Sequence, residues 1–147
     1  MKKFRFSLER VQRVRKIQEA MRLAELKRAE RALAAQQQKL SLFANERDAQ
    51  SQAMSASKLN EFRILDCQTD WRYLQRIERI VRFQSDVVTE YTQHEDAARQ
   101  RFRVARQRSL GLEKLGDHQR LAWNKDMIDL EQKIADDQPR KHSRHPQ

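Results

Sequence analysis

The chain reads as all-α, a long antiparallel two-helix coiled coil with a C-terminal helix extension. Three observations predict it. Leu74, Ile77, Val81, Gln84, Val88, Tyr91, Glu95, Ala98, Phe102, Ala105, Ser109 and Leu112 recur in alternating steps of three and four, a stripe that buries one narrow edge of a helix against a partner helix. The chain has 147 residues but only two glycines and two prolines, Gly111, Gly116, Pro139 and Pro146, so nothing before position 111 strongly breaks a helix. Hydrophobic residues make up 38% of the chain and charged residues 35%, a balance that suits solvated helices with a thin apolar edge better than a multilayer core.

The elements follow in order. Ser7 is the expected cap of helix one, with Glu9 favouring the dipole of its first turn. Leu8, Val11, Val14, Ile17, Met21 and Ala24 form one stripe, and Leu26, Ala29, Leu33, Gln36, Leu40 and Phe43 form a second in a shifted phase, which implies a local stammer or stutter. Helix one is expected over about 7–51. Serines 51, 55 and 57 compete for backbone hydrogen bonds, which sets the turn at about 52–58; residues 66–70 are a second possible break.

Helix two then covers about 59–136, completing a hairpin over 1–137, and the polar seam residues Gln84, Glu95 and Ser109 read as register control. A reversal near residue 54 sets Leu40 opposite about residue 68 and Phe4 opposite about residue 104. Helix one would end there, leaving Leu112 to Asp137 projecting with Trp123, Met127, Leu130 and Ile134 on one face for another protein. A later turn, near residue 68, would cover that face instead. Residues 138–147 are basic, hold two prolines and no apolar anchor, and read as a disordered tail.

Several functions are disfavoured by the composition. A phosphate-binding loop needs several glycines, and none precedes residue 111. No nucleophile and base recur together around His94 or His118, Asp136-Asp137 reads as a solvated pair, and His142 and His145 lack further ligands. No enzyme activity, cofactor, metal or small-molecule substrate is therefore expected. Cys67 is the only cysteine, which rules out an intrachain disulfide and suits a reducing cytoplasm. No apolar run is long enough for a signal peptide or a membrane span.

The net charge of +10 leaves the partner open among acidic protein, nucleic acid and anionic lipid. Two basic clusters carry it, one including Arg5, Arg10 and Arg13 and the other Arg101, Arg103 and Arg106, and a hairpin brings both to one end. No aromatic residues cluster beside them, so base stacking is not indicated, but a basic coiled coil binding nucleic acid remains an alternative.

The start Phe4-Arg5-Phe6-Ser7-Leu8-Glu9-Arg10-Val11, the central Tyr73-Leu74-Gln75-Arg76-Ile77, the later Leu112-Glu113-Lys114-Leu115 and the terminal Glu131-Gln132-Lys133-Ile134-Ala135-Asp136-Asp137 together resemble the flagellar type III export proteins of the FliJ family. Asp136-Asp137 departs from the Asp-Glu common among relatives. The resemblance implies a cytoplasmic, non-enzymatic, stalk-like coupler, peripheral to the inner membrane at the flagellar base. Such a coupler would be inserted in the hexameric export ATPase, contact the membrane export gate and escort export chaperones. Tyr73, Ile77 and Ile80, with Gln84 next on that face, match the family's gate-contacting pattern. On helix one only Leu40 and Phe43 stand where the family is rich in tyrosine. The related stalk of a virulence injectisome is a further alternative.

Overall fold

The structure, a computed structural model, describes residues 3–57 and 64–137. Two elements account for nearly all of them, α1 (Glu9–Ser57) and α2 (Ile64–Asp136), packed against each other as an all-α hairpin. The Leu8 carbonyl accepts the first helical bond, from the Gln12 amide at 2.8 Å, so Leu8 occupies the cap position expected of Ser7 and Glu9 lies in the first turn. Lys133 stands in the last turn of α2, where a cation favours the helix dipole. The expected tail, 138–147, lies outside the described residues.

Helix α1 continues through Ser57, so residues 52–57 are helical where the sequence reading set the turn; residue 58 lies outside the described residues. The serines there do not open the helix. Ser55 Oγ donates to the Ser51 carbonyl at 3.0 Å, a bond back along the helix that satisfies the hydroxyl without a turn. Thr69 does the same at the second candidate break, donating to the Leu65 carbonyl at 3.1 Å within α2.

The chain divides into two compact units, one of residues 20–104 and one combining 1–19 with 105–147. In the first, contacts run from Gln50–Asp70 and Tyr73–Glu46 through Gln84–Gln36 to Arg99–Glu30 and Arg101–Glu25. Partner numbers on α2 rise as those on α1 fall, so the helices are antiparallel. Leu40 stands between the levels of Tyr73 and Gln84, well past the expected residue 68, because the extra helical turns before Ser57 move the reversal later. Leu26, Ile77 and Ala98 are the buried apolar residues of this unit, and Gln84 and Glu95 are buried with them.

In the second unit Glu19 accepts a bond from Arg106 Nη1 at 2.8 Å. The Phe6 ring lies over Gly116, its Cε1 3.5 Å from where a Cβ would stand. The Phe4 and Trp123 rings are 6.0 Å apart at 51°, and the Arg120 guanidinium sits 5.9 Å from the centre of the Phe4 ring. Phe4 therefore stands far beyond the expected level of residue 104, and α2 is paired up to Trp123 instead of projecting from Leu112. Ser109 is buried here.

The phase of α1 differs from expectation in its first half. Val11, Val14, Ile17, Met21 and Ala24 are exposed, whereas Leu8, Gln12, Arg15 and Glu19 are half-buried. Continued in the same steps past exposed Arg22, that series reaches Leu26, Ala29, Leu33, Gln36, Leu40, Phe43, Arg47, Gln50 and Met54, all buried or half-buried. One phase, interrupted only at exposed Arg22, replaces the expected stammer. Long polar side chains fill it by packing their stems while their heads reach solvent or a partner, as Glu19 reaches Arg106.

Candidate functional site

The residues matched to the gate-contacting pattern fall into two groups. Ile77 and Gln84 are buried between the helices, and Leu40 and Phe43 are half-buried in the α1 seam, so these four support the surface from inside. Tyr73 is exposed and Ile80 half-buried. The Tyr73 hydroxyl donates to the Glu46 carboxylate across the helices, and this bond, with desolvation and the Glu46 charge behind it, raises the phenol's pKa above 10.0.

Beside Ile80 a shallow depression is lined by Arg72, Arg76, Arg79 and Phe83. Phe83 is among the most exposed large apolar side chains, and the sequence reading passed over it. Its signal was its position two residues after seam Val81, where the helix turns outward. Trp71 is exposed as well.

At the end of α2, Trp123 and Met127 are half-buried, Trp123 against Phe4, while Leu130 and Ile134 remain 50% and 56% exposed. Phe4 thus covers the start of the expected docking face, and only its last two residues stand open.

The basic residues are engaged unequally. Arg13 pairs with Glu9 at 3.2 Å and Arg106 with Glu19 at 2.8 Å, whereas Arg101 lies 3.8 Å from Glu25. A hydrogen bond from Arg22, reinforced by the charges of Arg22, Arg101 and Arg28, holds the Glu25 carboxyl below its ordinary pKa against the opposing effect of desolvation. Among the described residues Arg5, Arg10 and Arg103 make no ion pair and stay exposed.

Among the described residues no group of His, Cys, Asp or Glu is placed to hold a metal ion, and none of their helices is long and apolar enough to cross a membrane. His94 is exposed beside Glu90, at 3.7 Å. Among the described residues the arrangement offers faces for other macromolecules, with no nucleophile and base held together.

Neither the curated proteins nor the solved structures contain a match to this chain. The profile of a protein family described as "Flagellar FliJ protein" matches residues 4–145, nearly the whole length over which the seams run. The chain therefore belongs to the flagellar FliJ family and is a component of flagellar protein export.

Proposed function

We propose that the chain is a non-enzymatic coupler of the flagellar export ATPase, standing like a central stalk in the hexameric ring and linking it to the export gate in the membrane. The observation that carries this reading is the antiparallel pairing of the first and last parts of the chain, Phe4 against Trp123 and Glu19 against Arg106. Two helices tied in this way resist bending and twisting more than one, as a rotating or rocking coupler requires. Beyond Trp123, Leu130 and Ile134 offer apolar contacts to the ring, and Arg5, Arg10 and Arg103 offer positive charge to it.

On the same reading Tyr73 and Ile80 meet the gate, held in place by Ile77, Gln84, Leu40 and Phe43 beneath them, and the chain escorts export chaperones. It would work in the cytoplasm, peripheral to the inner membrane at the flagellar base. The test is ATP hydrolysis by the purified export ATPase with substoichiometric amounts of the chain. Stimulation is expected, and Leu130→Asp with Ile134→Asp should reduce it at unchanged helicity. Absence of stimulation at every ratio would refute the coupling.

A further inference from the structure

The first turns of α1 hold their side chains in an order opposite to the one solvation favours. Val11, Val14 and Ile17 are 43%, 52% and 56% exposed, while Gln12, Arg15 and Glu19 face inward and are half-buried. Burying Val and Ile and solvating Gln, Arg and Glu would be worth more to an isolated hairpin, but exchanging the two sets would require this helix segment to turn by at least about 100°, the angle between adjacent residues. The phase of the seam keeps the polar set inside. The three β-branched side chains thus form an outward stripe unused by the fold.

Leu115 of α2, 41% exposed, extends that stripe. It stands one residue before seam Gly116, as Val11 stands one before seam Gln12, and in antiparallel pairs these positions flank the same edge.

The surrounding charge identifies what fits there. Arg10, Arg13 and Lys16 are exposed around the stripe; of the acids in this stretch, Glu9 is paired with Arg13 and Glu19 is turned to Arg106. A second copy of the face would oppose like charges. An anionic bilayer calls for a broad apolar face with large aromatic or leucine side chains, and a stripe of two valines and an isoleucine with a single flanking leucine, Leu115, and no Trp or Phe is too narrow for it.

We propose that Val11, Val14 and Ile17, with Leu115 beside them, form a docking surface for an acidic amphipathic helix of a partner protein. That helix would carry apolar residues at i, i+3, i+4 and i+7 for the stripe and flanking Asp or Glu for Arg10, Arg13 and Lys16. The inference uses a side of α1 distinct from the open end of α2 and does not depend on the coupling of an ATPase.

The test uses the full chain and two fluorescein-labelled synthetic peptides of one composition. One is a helix with leucines at i, i+3, i+4 and i+7 flanked by glutamates, and the other is its scramble. Fluorescence anisotropy should show the amphipathic peptide binding at least about tenfold more tightly than the scramble. Val11→Ser, Val14→Ser and Ile17→Ser together should remove that advantage without lowering helicity. Equal binding of both peptides would reduce the surface to charge alone and overturn the proposal, as would unchanged affinity in the triple variant. Loss of helicity in that variant would place the stripe in the fold and overturn it as well. Stripe-dependent binding to phosphatidylcholine/phosphatidylglycerol vesicles without peptide binding would assign the face to a membrane instead.

Discussion

Gln84 on α2 gives its side-chain amide to two acceptors of one residue on α1, the Gln36 side-chain oxygen at 2.9 Å and its backbone carbonyl at 3.1 Å. Both glutamines lie on the seam, so any slip of one helix along the other would strand a buried amide. The pair specifies register at some cost in stability.

Replacing both residues with leucine should therefore strengthen the hairpin while weakening its register. The double variant is expected to gain about 1–3 kcal/mol from apolar burial, read in chemical denaturation, and to broaden interhelical distances measured between spin labels. A destabilised variant with unchanged distances would deny the pair that role.

Glu95 is buried and accepts from Arg99 Nε at 3.0 Å, and Arg99 also lies 3.6 Å from Glu30. The Glu95 hydrogen bond and charge hold the guanidinium more firmly protonated than usual. Arg99→Met alone leaves a buried carboxylate without its partner, so it should lower the melting temperature. Adding Glu95→Leu should recover most of that loss. If the single variant melts like the parent, solvent already satisfies Glu95.

The Tyr73 phenol has its pKa raised above 10.0, chiefly by its bond to Glu46. The contribution of that bond to stability is complete below 10.0, the unfolded value, and is lost as pH rises through the higher folded value. In a Tyr91→Phe background, phenolate absorbance should therefore titrate above the ordinary tyrosine range, and Glu46→Gln should return it downward. A titration indifferent to Glu46 would dissolve the link.

Both glycines of α2 are helical residues with negative φ. An added Cβ meets nothing within 4 Å at Gly111 and only an ordinary 3.5 Å contact with Phe6 at Gly116. Alanine at either position should stabilise by about 0.5–1 kcal/mol, since glycine loses more backbone freedom on folding. Destabilisation by Gly116→Ala would mean that Phe6 packs more tightly on the helix than the structure has it.

The α2 seam was fully legible in sequence, because from Leu74 to Leu112 the spacing repeats and every position is buried or half-buried. The first half of α1 misled because its apolar residues sit beside the seam. Val11, Val14, Ile17 and Met21 imitate a stripe, and only stepping backwards from Leu26 in fours and threes lands on Glu19, Arg15, Gln12 and Leu8. The turn was misplaced for a local reason, since serines that bond backwards along a helix look in sequence like serines that end one.

The candidate contacts were legible as a face but not as inside and outside. Tyr73, Ile77, Ile80 and Gln84 share one side of α2, yet only interhelical packing separates buried Ile77 and Gln84 from exposed Tyr73. Phe4 could not be matched to Trp123 until the register was known, and with it went most of the expected projection of α2.

The account depends on one antiparallel register, and disulfide trapping tests it most directly. In a Cys67→Ser background, Gln36→Cys with Gln84→Cys should close rapidly into an intramolecular disulfide under mild oxidation, because those side chains already meet across the seam. Gln36→Cys with Arg72→Cys, the pair that a turn near residue 54 would bring together, should stay reduced. Rapid closure of the second pair with the first remaining open would contradict the register.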